Sequence, residues 1–124
     1  MKALVIDDER DARDSLCAVL ETAGWTVELA EDGIAGLGRV PQVRPDVILL
    51  DVRMPHLDGV GLLAMLRSTE YGRTVPVVLV TGADVSDEVR ALADAVLMKP
   101  FDPRELLRVA ARLGAGPRKV PRRS

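Results

Sequence analysis

Five short apolar runs, each leading into a stretch of helical periodicity, constrain this chain more than any other feature. Ala3-Leu4-Val5-Ile6, Thr26-Val27-Glu28-Leu29, Asp46-Val47-Ile48-Leu49-Leu50, Pro76-Val77-Val78-Leu79-Val80 and Ala95-Val96-Leu97-Met98 are rich in β-branched residues and leucine and have the length of strands. The third and fourth are apolar almost throughout, as strands are when helices cover both faces of a sheet. Strand–helix alternation repeated five times predicts an α/β fold, (βα)5, doubly wound around one five-stranded parallel sheet. At 124 residues there is room for one such domain. Aromatic residues make up only 2% of the chain, so the core has to be built from Val, Leu, Ile and Ala.

The helical stretches differ in quality. Asp11 to Ala23 places Ala12, Leu16, Val19, Leu20 and Ala23 on one face, and Gly24 ends it. The second, from about Gly33 to Val40, is weakened by Gly36 and Gly38, and Pro41 is expected to stop it. The third runs from about Val60 to Arg67. The fourth, around Ser86 to Ala93, is short. The last has Asp102 as N-cap, Pro103 at the first helical position, Glu105 to complete a capping box, and Gly114 to close it. Residues 1–114 thus read as the domain. Residues 115–124, with two prolines and four basic residues, read as a disordered basic tail.

The polar residues just past four of the strands carry the chemistry. The first strand ends in Asp7-Asp8, the third in Asp51, the fourth in Thr81 and the fifth in Lys99. In an open parallel sheet the carboxyl ends of the strands share one edge, where ligands bind. Three carboxylates brought together there repel one another unless positive charge offsets them. A hard divalent cation with oxygen ligands, such as Mg²⁺, is one source, and Lys99 is the other. A carboxylate beside Mg²⁺ and a lysine is suited to attack phosphorus and form an aspartyl phosphate. Taken singly, each residue has an ordinary reading: a capping turn for Asp7-Asp8, an Asx-turn for Asp51, a surface cation for Lys99. Their convergence outweighs those readings.

Together these residues resemble the receiver domains of two-component signalling. The resemblance runs from about Lys2 to Leu113 and rests on Asp7-Asp8, Leu-Leu-Asp51-Val-Arg-Met54-Pro55, Asp58-Gly59, Thr81-Gly82-Ala83 and Lys99-Pro100-Phe101, in order. It implies a flavodoxin-like sheet of strand order 2-1-3-4-5. It implies that Asp51 is the phosphoacceptor and that Asp7, Asp8, Asp51 and the backbone carbonyl of Arg53 hold Mg²⁺. Thr81 would be the switch hydroxyl, and Lys99 would contact the phosphoryl group, placed by a cis Lys99–Pro100 bond. The donor would be a phosphohistidine on a sensor histidine kinase or a phosphotransfer protein. Output would be contact with a downstream protein, or with a second copy, through the fourth helix, fifth strand and fifth helix. Receivers usually carry Tyr or Phe three residues before the lysine, where this chain has Val96. The 18 positions from Thr81 to Lys99 are about one helical turn fewer than is usual, so the fourth helix should be shortened.

Other features narrow the alternatives. One cysteine excludes an internal disulfide, and Cys17 reads as a small buried hydrophobe. His56 is the only histidine, which leaves no zinc site of the usual kind; it reads as an exposed loop residue. Trp25 reads as packing near the start of the second strand. No apolar run has the length of a membrane span, and Met1-Lys2 leads directly into a strand, so the expectation is a cytoplasmic protein without membrane contact. The formal charge is −2; the four cations of the last seven residues leave the rest at −6, which argues against direct nucleic-acid binding by the domain. An Mg²⁺-dependent hydrolase of small phosphoesters would place its nucleophile on strand one in an Asp-x-Asp pattern, which Asp7-Asp8-Glu9 does not give. The alternative is a degenerate receiver used as a constitutive protein-binding module, but such domains have lost an acceptor, metal acid or lysine, and all are present here.

Overall fold

In the computed structural model, residues 1–51, 59–82 and 84–116 are described, the side chains of 59 and 60 excepted. Arg53, His56, Asp58 and the basic residues of the tail therefore lie outside the described residues. The strands are β1 (Lys2–Ile6), β2 (Thr26–Ala30), β3 (Val47–Leu50), β4 (Val77–Thr81) and β5 (Ala95–Met98). The helices are α1 (Arg10–Thr22), α2 (Gly33–Val43), α3 (Gly59–Arg67), α4 (Asp87–Leu92) and α5 (Pro103–Ala115), with a 3₁₀ turn at Tyr71–Arg73. All strand pairs are parallel, in the order β2-β1-β3-β4-β5. The expected topology is the observed one.

Strand alternation divides the core into two layers. Leu4, Ile6, Ile48, Leu50, Val77 and Leu79 face one side, where Val40 of α2, Leu62, Leu63 and Leu66 of α3 and Val89 of α4 cover them. Ala3, Val5, Val47, Leu49, Val78, Val80 and Leu97 face the other, covered by Leu16 and Leu20 of α1 and Leu106, Val109 and Ala110 of α5. Trp25 is buried in this second layer, in keeping with its place before β2. The fourth helix is short, with six residues and Ser86 capping Val89 N–H. The Lys99–Pro100 bond is cis.

Four local expectations are corrected. Pro41 does not stop α2; the helix continues to Val43 and ends at Arg44, whose left-handed backbone (φ 50°) brings its N–H to the Val40 carbonyl at 2.9 Å. A proline only two residues from the helix end disturbs only the last turn, where the ladder is ending anyway. Gly114 does not close α5, which runs on to Ala115; a Cβ at Gly114 would lie 3.0–3.2 Å from Met1 Sδ, Trp25 and Val47, so glycine there lets the helix approach the sheet. The Asp102 cap accepts from Arg104 N–H at 2.9 Å, one residue earlier than a capping box requires. Cys17 is half-buried, and its thiol donates to Glu21 Oε1 at 3.1 Å.

Candidate functional site

The sheet delivers the polar residues to one edge by extending its own ladders. Ile6 is in register with Leu50, so Asp7 and Asp51 are the next residues out on adjacent strands. Asp51 N–H donates to the Ile6 carbonyl at 3.0 Å, and Asp7 N–H donates to the Ala30 carbonyl at 3.2 Å. On the other side Lys99 N–H donates to the Thr81 carbonyl at 2.8 Å. Each functional backbone is thus held by the strand beside it, and the side chains start from fixed positions.

Among the described residues, Asp7, Asp8 and Asp51 are the one group of metal-ligating acids that can each offer a carboxylate oxygen within 4.8 Å of the others'. Asp7 is 1% exposed, Asp51 9% and Thr81 0%, while Asp8 is exposed. Lys99 Nζ lies 3.3 Å from Asp7 Oδ2 and 3.5 Å from Asp51 Oδ2, bridging two of the three acids. Partial burial works against its charge, but the Asp51 and Asp7 carboxylates outweigh it and hold the ammonium above the ordinary lysine value. One ammonium against three carboxylates leaves an excess of negative charge. Oxygen donors without nitrogen or sulfur suit a hard cation such as Mg²⁺.

Sequence reasoning missed the groups that hold this loop. Glu9 N–H donates to Asp7 Oδ1 at 2.9 Å, and Arg13 Nη1 donates to the Asp7 backbone carbonyl at 2.9 Å. A cation one helical turn beyond an acidic loop is the signal that could have pointed to Arg13. Arg53, expected to offer its carbonyl, lies outside the described residues. Val96 is half-buried and packs against the core layer that α2, α3 and α4 cover.

The family model of the response regulator receiver domain matches residues 3–111. The chain belongs to that family. It is the receiver domain of two-component response regulators, a signalling family rather than a classical enzyme. It is 45% identical over 111 residues to response regulator MprA of Mycobacterium avium (strain 104), covering 86% of this chain and 48% of that protein. The match to response regulator MprA of Mycobacterium leprae (strain TN) has the same identity and coverage. The chain therefore spans about half the length of the curated relatives it matches. Among solved structures, the Vibrio cholerae chemotaxis protein CheY4 superposes with a TM-score of 0.83 at 32% identity, over 90% of this receiver and 97% of that chain. The receiver domain of the sensor histidine kinase PA1611 from Pseudomonas aeruginosa PAO1, with a magnesium ion coordinated in its active-site cleft, gives 0.85 at 30% identity over 93% and 98%. No helix among the described residues is long and apolar enough to cross a membrane.

Proposed function

We propose that Asp51 accepts a phosphoryl group from a phosphohistidine on a sensor histidine kinase or phosphotransfer protein. Asp7, Asp8 and Asp51, with the Arg53 carbonyl, would hold Mg²⁺. When bound, the ion supplies positive charge that offsets the carboxylates and the oxygens of the transferring group. The carboxylate of Asp51 attacks phosphorus, forming an O–P bond as the N–P bond of the donor breaks. The imidazole leaves with the bonding pair and takes a proton from solvent. Lys99, already beside Asp51, pairs with a phosphoryl oxygen, and the Thr81 hydroxyl donates to another. Hydrolysis of the aspartyl phosphate by water resets the domain. Signal output goes to a downstream protein or a second copy through α4, β5 and α5, in a cytoplasmic setting.

The observation that carries this reading is the placing of Lys99 Nζ between Asp7 and Asp51, inside a cluster of three acids at the carboxyl edge of the sheet. The magnesium coordinated by the PA1611 receiver domain supports the choice of ion. The test is intact mass after incubation with acetyl phosphate and Mg²⁺, beside Asp51→Asn and an EDTA control. One added phosphoryl group on wild type alone, and only with metal, is the expected result. No gain on wild type, together with no binding of beryllofluoride, would overturn it in favour of a constitutive binding module.

A further inference from the structure

All four polar main-chain and side-chain positions of Asp7 are occupied. Its N–H goes to Ala30, Oδ1 accepts from Glu9 N–H, Oδ2 accepts from Lys99, and its carbonyl accepts from Arg13. The last contact differs in kind, because a side chain from α1 reaches back to a backbone oxygen. That oxygen belongs to the planar peptide joining Asp7 to Asp8, so fixing it fixes where Asp8 begins. Asp8 is exposed, and among the described residues its carboxylate has no hydrogen bond that would place it otherwise. A positive group so close to a cation site is electrostatically unfavourable for the cation. Its place there calls for a geometric reason.

We propose that Arg13 is a positioning residue for the metal-holding acids: its guanidinium fixes the Asp7–Asp8 peptide and thereby aims both carboxylates at the position they share with Asp51. The inference rests on the metal site proposed above. It has a signature that charge alone cannot produce. Removing a nearby positive charge should tighten cation binding, whereas loosening the peptide should weaken it. Arg39 provides the comparison, since it lines the same 360 Å³ surface cleft as Arg13 but bonds the Leu29 carbonyl and Glu28 instead.

The test is Mn²⁺ binding, read from the electron paramagnetic resonance signal of the free ion at fixed ionic strength, far below the melting temperature. Wild type is compared with Asp8→Asn, Arg13→Met, Arg13→Lys and Arg39→Met. The expected result is binding about tenfold weaker in Arg13→Met, the scale seen when a group that orients metal ligands is lost. Arg13→Lys, which keeps a donor, recovers part of the loss, and Arg39→Met binds as wild type or slightly more tightly. A purely structural role would lower stability without moving this constant. Should Arg13→Met not fold, Arg13→Gln, too short to reach the carbonyl, carries the same comparison. If wild type binds Mn²⁺ and Asp8→Asn does not, while the Arg13 variant binds as tightly as wild type or more so, the metal site stands and the positioning role is overturned. If wild type binds no Mn²⁺, the metal site itself falls and the inference falls with it.

Discussion

Arg67 is the side chain on which the far end of the sheet depends, and replacing it with methionine should cost about 3 kcal/mol. It is the last residue of α3, and its side chain is 17% exposed. Nε donates to the Leu92 carbonyl at 3.0 Å, Nη1 to the carbonyls of Gly72 at 2.9 Å and Val75 at 2.6 Å, and Nη2 to Asp94 Oδ2 at 3.0 Å. One guanidinium therefore joins α3 to the 3₁₀ turn, the end of α4 and the start of β5. Methionine keeps most of the apolar stem, so the change isolates the polar contacts. Gly72 and Val75 are buried residues, and each buried carbonyl left without its donor costs about 1 kcal/mol. Leu92 and Asp94 border an open cleft of about 340 Å³, where water can replace the lost donor, so they add only about 0.5 kcal/mol each. Asp94 also keeps its bond from Val77 N–H at 2.8 Å.

Urea unfolding gives the check. With a slope of about 1.5 kcal/mol/M, the loss moves the midpoint down by roughly 2 M with the slope unchanged. Asp94→Asn retains an acceptor oxygen and should cost no more than about 1 kcal/mol, because the ion pair itself is partly exposed. A loss below about 1 kcal/mol for Arg67→Met, or an equal loss for Asp94→Asn, would refute the assignment of the stability to the carbonyls.

Three further outcomes are expected. A Cβ at Gly36 would meet Ile6 Cδ1 at 2.5 Å and Cγ1 at 2.7 Å, whereas one at Gly38 meets nothing within 4 Å. Gly36→Ala should therefore destabilise by about 1–3 kcal/mol and Gly38→Ala stabilise by about 0.5–1 kcal/mol, both read from urea midpoints. Mg²⁺ at about ten times its dissociation constant should raise unfolding free energy by about 1.4 kcal/mol, a gain lost in Asp8→Asn and visible by calorimetry. Burial first, then the Glu21 hydrogen bond and the charges of Glu21 and Asp14, push the Cys17 thiol up to about 11. Iodoacetamide at mildly alkaline pH should therefore alkylate the folded chain far more slowly than the unfolded one, and Glu21→Gln should speed the folded reaction. Because the folded value is the raised one, the thiol's contribution to stability is whole below the unfolded value and is lost as pH rises toward 11.

The periodic and terminal signals in the sequence are enough to locate the strands, because a doubly covered strand must be apolar and its first polar residue must lie at the edge. The same logic brings Asp7, Asp8, Asp51, Thr81 and Lys99 together from the sequence alone. What escapes it depends on groups distant along the chain. Gly114 reads as a helix end, yet it is a contact with Met1, Trp25 and Val47, residues from the opposite end and the middle of the chain. Pro41 reads as a stop because local rules see only the lost N–H, while Arg44 closes the helix three residues later. Arg13 and Arg67 carry no local signal, since nothing nearby in the chain says that a guanidinium will find backbone carbonyls 6 or 25 positions away.

The short fourth helix and Val96, the two departures from the receivers it resembles, both lie between Thr81 and Lys99. Thr81 ends β4 two residues beyond Leu79, on the same strand face, and Leu79 is in register with Val96. Val96 is half-buried against the core layer that α2, α3 and α4 cover, and it has no ring. On the role proposed for Thr81, a displacement toward Asp51 would be carried to β5 through the main chain. The path on hand is the bond from Lys99 N–H to the Thr81 carbonyl, which ties the end of β5 to that of β4. Movement along that bond would shift β5 and its exposed Met98 rather than reorient one side chain. The six-residue α4 and the valine at position 96 thus fall on one stretch of chain, beside the edge strand β5.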